Sequence, residues 1–185
     1  ESLPNIGHIT KSWSVQEDVT ALYVQADIEM EVAGMPLSGN TGLRYVHTEQ
    51  TSSGAAAEVI DGLVVASPTQ ITHDYSHLLP SLNLSLKLSD DQSLRFGYAK
   101  TLSRARLDEM NSSLQTSFDL KPSDEGYNWT ISGGNPSLEP KEATGFDLSY
   151  ENYFSEEGYF SVAYFYKDIT SWIFDGTYEV DMSGV

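Results

Sequence analysis

Apolar and polar residues alternate with a period of two along almost the whole chain, and that pattern restricts it to β-structure. Between Thr20 and Val32, the residues Thr20, Leu22, Val24, Ala26, Ile28, Met30 and Val32 share one face, with Ala21, Tyr23, Gln25, Asp27, Glu29 and Glu31 on the other. The connection Ala33-Gly34-Met35-Pro36 has the Gly and Pro of a tight turn. The chain returns with Leu37, Thr41, Leu43 and Tyr45 opposite Ser38, Asn40, Gly42 and Arg44. A third strand is predicted from near Tyr75 to Leu88, and a turn at Ser89-Asp90-Asp91-Gln92 leads to a fourth carrying Leu94, Phe96 and Tyr98. A fifth presents Phe146, Leu148 and Tyr150, a turn spans Phe154 to Gly158, and a sixth presents Phe160, Val162, Tyr164 and Tyr166. The fold class expected is all-β: an antiparallel up-and-down meander of about six strands.

The connections alternate between short and long, the long ones running from Glu49 to Thr72 and from Ser103 to Lys141. Loops of about 24 and 39 residues are uncommon inside compact domains. Long loops at one end of a sheet and tight turns at the other is the arrangement of a transmembrane β-barrel. Charge is segregated in the same sense. The apolar faces just named hold no Asp, Glu, Lys or Arg, whereas Asp27, Glu29, Glu31, Arg44, Lys87, Arg95, Asp147, Glu151 and Lys167 collect opposite. Trp13, Tyr45, Tyr75, Tyr153, Phe154 and Trp172 fall near strand ends, as interfacial girdles do. Periodicity alone leaves a soluble β-sandwich open, because its buried face also rejects charge. Such a sandwich would be a glycan- or calcium-binding module.

Composition narrows the partners. A formal charge of −17 repels phosphate backbones, so nucleic acid is not an expected partner. The chain has no cysteine, which excludes zinc–thiolate sites and disulfides. It has no apolar run long enough for a membrane helix, which leaves membrane strands open. Glu1-Ser2-Leu3-Pro4 has neither the basic nor the apolar region of a signal peptide.

Three stretches resemble the barrel of the TonB-dependent receptor family. The first runs from Ala21-Leu22-Tyr23-Val24-Gln25-Ala26-Asp27 through Gly39-Asn40 and Arg44-Tyr45-Val46 to Thr48-Glu49-Gln50. The second joins Leu79-Pro80-Ser81-Leu82-Asn83-Leu84, Asp90-Asp91, Leu94-Arg95-Phe96 and Lys100-Thr101-Leu102-Ser103-Arg104, with Ala105 where the family usually has Pro. The third joins Gly134-Asn135-Pro136-Ser137-Leu138-Glu139-Pro140, with Glu139 replacing a basic residue, to Phe146-Asp147-Leu148 and Phe165-Tyr166-Lys167-Asp168-Ile169. The resemblance spans nearly the whole chain, 1–185. It implies part of a barrel of about 22 strands in the bacterial outer membrane, facing lipid outside and enclosing a plug domain. It also implies active import of a scarce ligand, a siderophore (iron chelate) or an oligosaccharide, powered by the TonB complex. No plug, TonB box or aromatic last strand is recognisable, so the chain reads as a fragment.

Motifs that carry chemistry are scarce. His73 and His77 would share a helix face, but on a strand they stand roughly 13 Å apart, too far to chelate one ion. No nucleophile elbow, HExxH or phosphate loop occurs, so neither an enzyme nor a cofactor nor a metal site is expected. Tyr127, Asn128 and Trp129, with His73 and Tyr75, are the extracellular-loop candidates for ligand binding. Aromatics beside an amide suit sugar stacking or a flat chelate, and loop packing is the competing role. Asp27, Glu29, Glu31, Arg44 and Arg95 are expected to face the lumen, either meeting the plug or lining a hydrated wall.

Overall fold

The computed structural model describes residues 6–60, 63–118, 129–155 and 157–177. A helical turn, Ile6–Ile9, precedes eight strands: β1 Ser14–Val32, β2 Met35–Ile60, β3 Leu63–Ser89, β4 Gln92–Ser103, β5 Leu114–Phe118, β6 Trp129–Gly133, β7 Lys141–Ser155 and β8 Gly158–Ile169. They form one sheet. The six expected strands make a continuous antiparallel meander in the order β1-β2-β3-β4-β7-β8. The tight turn between β1 and β2 is two residues long, with Ala33 at φ 53° and Gly34 at φ 79°. Two positive φ values match the type I′ hairpin turn, whose twist suits the flanking strands.

Register turns the sequence alternation into two faces. One cross-strand row reads Ile28, Gly39, Leu84, Phe96, Leu148 and Tyr164. The next row toward the tight turns reads Met30, Leu37, Leu86, Leu94, Tyr150 and Val162. On the opposite face the matching row is Asp27, Asn40, Asn83, Gly97, Asp147 and Phe165. The apolar face is open: Val24 is 66% exposed and Tyr164 65%. No second sheet covers it among the described residues, and Leu82, Leu84 and Leu86 remain half-exposed. A β-sandwich must bury that face, so the sandwich reading is overturned.

Two expectations about the long connections need correction. Residues 49–60 and 63–72 are strand, not loop: they form the upper parts of β2 and β3, paired without a register break up to Ile60↔Leu63. At about 3.4 Å per residue, the 26 residues of β2 extend roughly 88 Å, whereas about 9–11 residues cross a bilayer. The upper half is therefore a ribbon projecting past the apolar band. The stretch 103–141 also contains structure, β5 and β6, which pair with each other and add to the edge of β2 where β1 has ended.

Candidate functional site

The alternation places Val46, Thr48, Gln50 and Ser52 of β2 on the polar face, together with Ile71, His73, Tyr75 and His77 of β3. Polar side chains on a ribbon outside the membrane should be wet, yet Thr48, Gln50, Ser52, Tyr75 and His77 are buried. The cover is the chain between β4 and β7. It leaves β4, crosses the polar face of the β2–β3 ribbon, pairs as β5 with Ala56 and Ala57, turns back through β6 and crosses again to β7. We term residues 104–118 and 129–140 the strap.

The outgoing limb is held at three points. Arg104 Nη1 lies 3.2 Å from Glu17 Oε2. Thr69 Oγ1 donates to Ser112 O at 3.0 Å, and the Ala55 amide donates to Ser113 Oγ at 3.3 Å. Gly54 is the point of closest approach, where a Cβ would stand 2.5 Å from Ser113 Oγ and 2.9 Å from Ser113 N. Met110 is buried beneath this limb, and a turn capped by Glu109, whose Oε2 accepts from the Arg106 amide at 3.0 Å, shapes it.

The returning limb is held through side chains on the ribbon. Gln50 Nε2 donates to Pro136 O at 2.8 Å, while His73 Nε2 faces Glu139 Oε1 at 3.4 Å. The limbs are tied together by the Asn135 amide, which donates to Glu109 O at 2.8 Å. At its end Glu142 of β7 bridges two strands that stop pairing at Ser81↔Ala99. Its carboxylate lies 2.7 Å from His77 Nδ1 and 2.9 Å from Lys100 Nζ. Tyr75 lies between the two histidines, with ring centroids 6.0 Å from His73 and 5.4 Å from His77.

These contacts leave several buried polar atoms without partners: Glu17 Oε1, Gln50 Oε1, Ser52 Oγ and His77 Nε2. Burial first, and then the charge of Glu17, push the Tyr75 hydroxyl above its ordinary value of 10.0, so it stays protonated. The Lys100 ammonium and then the His77 ring hold Glu142 below its ordinary 4.5.

That depression gives a pH dependence with a definite sign. Because the folded-state carboxyl is the stronger acid, Glu142 stabilises the fold fully above pH 4.5, and its contribution is lost as pH falls below that value. Hydrogen exchange at the Asn135 and Leu138 amides, corrected for intrinsic rates, should quicken between pH 5 and pH 3. Glu142→Gln should flatten the profile; an unchanged pH dependence in that variant means that another group is responsible.

The sequence candidates divide between these regions. His73 and Tyr75, expected on an outer loop, instead lie on strand β3 under the strap. Trp129 opens β6 and is 64% exposed, while Tyr127 and Asn128 lie outside the described residues. Asp27, Glu29, Glu31, Arg44 and Arg95 are exposed on the polar face closer to the tight turns, with Arg95 Nη2 3.2 Å from Glu151 Oε2. There, Ser38, Asn83, Ser85, Arg95, Asp147 and Ser149 line an open depression of about 350 Å³. No cluster of three metal-ligating His, Asp or Glu occurs among the described residues. Glu17, Gln50, Ser52 and the strap contacts were not singled out from the sequence. The only local hint is the polar run Thr48, Gln50, Ser52, Gly54 on one face, with Gly54 marking a close approach.

A sheet apolar on one face and polar on the other, with short turns at one end and long excursions at the other, is a stretch of wall from a transmembrane β-barrel. The family described as "TonB dependent receptor-like, beta-barrel" matches residues 3–184, and the chain belongs to it. Members are receptors and transporters of the Gram-negative outer membrane rather than enzymes. Among solved structures the chain is similar to the siderophore receptor PirA from Acinetobacter baumannii, at 16% identity and a TM-score of 0.44, covering 84% of this chain. It is also similar to a G324V mutant of the ferric enterobactin receptor PfeA from Pseudomonas aeruginosa, at 15% identity and a TM-score of 0.41, covering 84% of this chain, and to PfeA in complex with BCV-L6, at 15% identity and a TM-score of 0.42, covering 85% of this chain. The chain spans 27% of the length of each of these receptors. No curated protein matched.

Proposed function

We propose that this chain is part of the barrel wall of an outer-membrane active transporter that imports a scarce ligand, an iron chelate or an oligosaccharide. The observation that supports this most is a face free of charge across six strands, in the three rows from Ala26, Thr41, Leu82, Tyr98, Phe146 and Tyr166 to Met30, Leu37, Leu86, Leu94, Tyr150 and Val162. It would cost free energy in water and suits contact with hydrocarbon. Six strands do not close a barrel that holds a plug, so the free edges of β1 and β8 are matched by further strands of the same barrel. Asp27, Glu29 and Glu31 then face a plug domain near the periplasmic turns, and import draws energy from the TonB complex. His73, Tyr75 and Trp129 belong to the outer end where ligand arrives, and Tyr127 and Asn128, next to Trp129 in sequence, remain ligand candidates.

The absence of cysteine makes this reading testable residue by residue. Single cysteines at Leu82, Leu84 and Leu86 of the receptor in outer-membrane vesicles should react with a lipid-soluble probe. Cysteines at Asn83, Ser85 and Lys87 should react with a water-soluble maleimide. Uniform maleimide labelling of all six positions removes the lipid-facing wall, and with it the transporter.

A further inference from the structure

We propose that the wall carries a lateral seam between β3 and β4, which Glu142 latches shut and which opens at the outer rim when that carboxylate takes up a proton. The backbone sets the seam. β3 and β4 pair from Ser89↔Gln92 up to Ser81↔Ala99 and no further. Above that row β3 stays paired to β2 as far as Leu63, and β4 stays paired to β7 as far as Ser103. The sheet therefore forks into two branches. Pro80, the next residue of β3, has no N–H to offer, and proline in a sheet is confined to edges and bulges. Each strand becomes an edge along the fork, so no ladder holds the seam there.

Side chains span the fork instead. By register His77 belongs to the polar face of β3. Lys100 follows Phe96 and Tyr98 on the apolar face of β4, and Glu142 precedes Phe146 and Leu148 on that of β7. Yet Glu142 Oε1 lies 2.7 Å from His77 Nδ1, and its Oε2 lies 2.9 Å from Lys100 Nζ. Groups assigned to opposite faces meet where the ladder between them is interrupted. His77 is buried and its Nε2 has no partner, so the contact with Glu142 is the polar anchor of that ring. Glu142 itself is fixed from the other branch: its amide donates to Ser171 Oγ at 3.0 Å, and its carbonyl accepts from the Thr170 amide at 3.1 Å.

The neighbouring charges are engaged elsewhere. His73 faces Glu139, Arg104 faces Glu17, and Lys141 lies over the Trp172 ring. The Tyr75 hydroxyl stays protonated, and Asp168 of β8 stands opposite Thr144, two residues along β7 from Glu142. Protonation of Glu142 thus removes the anion that joins His77 to Lys100. The Lys100 ammonium is then left without its counter-charge near the level of Leu78 and Tyr45, where the apolar band ends, and is drawn into water. The opened seam connects the polar face with the outer rim of the band. Because Lys100 holds the carboxyl below 4.5, release falls on the acid side of that value.

Spin labels on Leu78→Cys with Leu102→Cys test the seam in the receptor folded into phospholipid vesicles. These positions would oppose each other if the β3–β4 ladder continued; Leu84→Cys with Phe96→Cys reports the ladder below the fork. Both pairs should show strong dipolar broadening at pH 7. At pH 3 the broadening at 78 and 102 should fall by at least half and return on neutralisation, while that at 84 and 96 persists. Glu142→Gln should show the loss already at pH 7, and Glu139→Gln, which breaks the neighbouring histidine contact, should keep the parent's profile. Broadening at 78 and 102 that survives at pH 3, equal loss at both pairs, a parent-like Glu142→Gln, or the same loss in Glu139→Gln overturns the proposal. The alternating cysteine labelling at neutral pH, and with it the barrel reading, stands apart from all four results.

Discussion

Leu84→Arg is expected to cost about 2–4 kcal/mol of folding stability in a bilayer, while Ser85→Arg, one residue on, changes stability little. Leu84 occupies the apolar row with Gly39 and Phe96, near the middle of the band that ends in Tyr45 and Leu78 on one side and Met35 on the other. A guanidinium there has only hydrocarbon around it, and reaching the interface requires thinning of the bilayer. The side chain of residue 85 points to the face of Ser38, Arg95 and Ser149, where an added cation has Asp147 and Glu151 within the same wet wall. Denaturant titration of the receptor folded into phospholipid vesicles gives the two values directly. Equal costs at the two positions would contradict the assignment of faces.

The same asymmetry explains what was legible in the sequence. A bilayer constrains one face of every crossing strand, so the period-2 signal from Leu22 to Val32 or Leu82 to Leu88 reads cleanly and fixes strand order by hairpin logic. Above the bilayer neither face meets lipid, and β-structure no longer needs alternating apolar residues. The segment from Glu49 to Thr72, rich in Ser, Thr, Ala and Gly, therefore resembles a loop although its described residues pair as far as Ile60↔Leu63. What holds it is backbone pairing with Thr and Ile residues suited to strands, and these do not announce themselves by hydropathy.

The candidate site was hidden for a different reason. Gln50 and Ser52 are ordinary surface residues by composition, and only the strap, brought back from Pro136 and Ser113, buries them. Contacts between positions separated by 58 and 86 residues leave no local pattern. His73 and Tyr75 drew attention as residue types, but their setting comes from Glu139 and from the neighbouring Glu17. The histidine pair lies on a strand, as its extended reading expected, with His73 beside Glu139 and His77 beside Glu142.

Gly39→Val should be as damaging as a charge on the apolar face, although it adds only hydrocarbon where lipid would accept it. A Cβ at position 39 would overlap the backbone oxygen of Asn83 and stand 3.0 Å from the Leu84 Cα. Those are backbone atoms of the paired strand, so no side-chain rotation relieves the clash, and the β2–β3 ladder must separate locally. Overpacking costs typically about 1–3 kcal/mol, and a rigid backbone neighbour places this position at the upper end. Gly145→Ala provides the contrast. Its Cβ would meet only Ala99 O and Tyr166 O, each at 3.9 Å, an ordinary contact. There the loss of glycine's backbone freedom should leave stability unchanged or raise it by about 0.5–1 kcal/mol. Vesicle-based unfolding of both variants separates the two cases. A Gly39→Val barrel as stable as its parent would show that β2 and β3 do not approach as closely as this register requires, and the row joining Ile28, Gly39 and Leu84 would have to be redrawn.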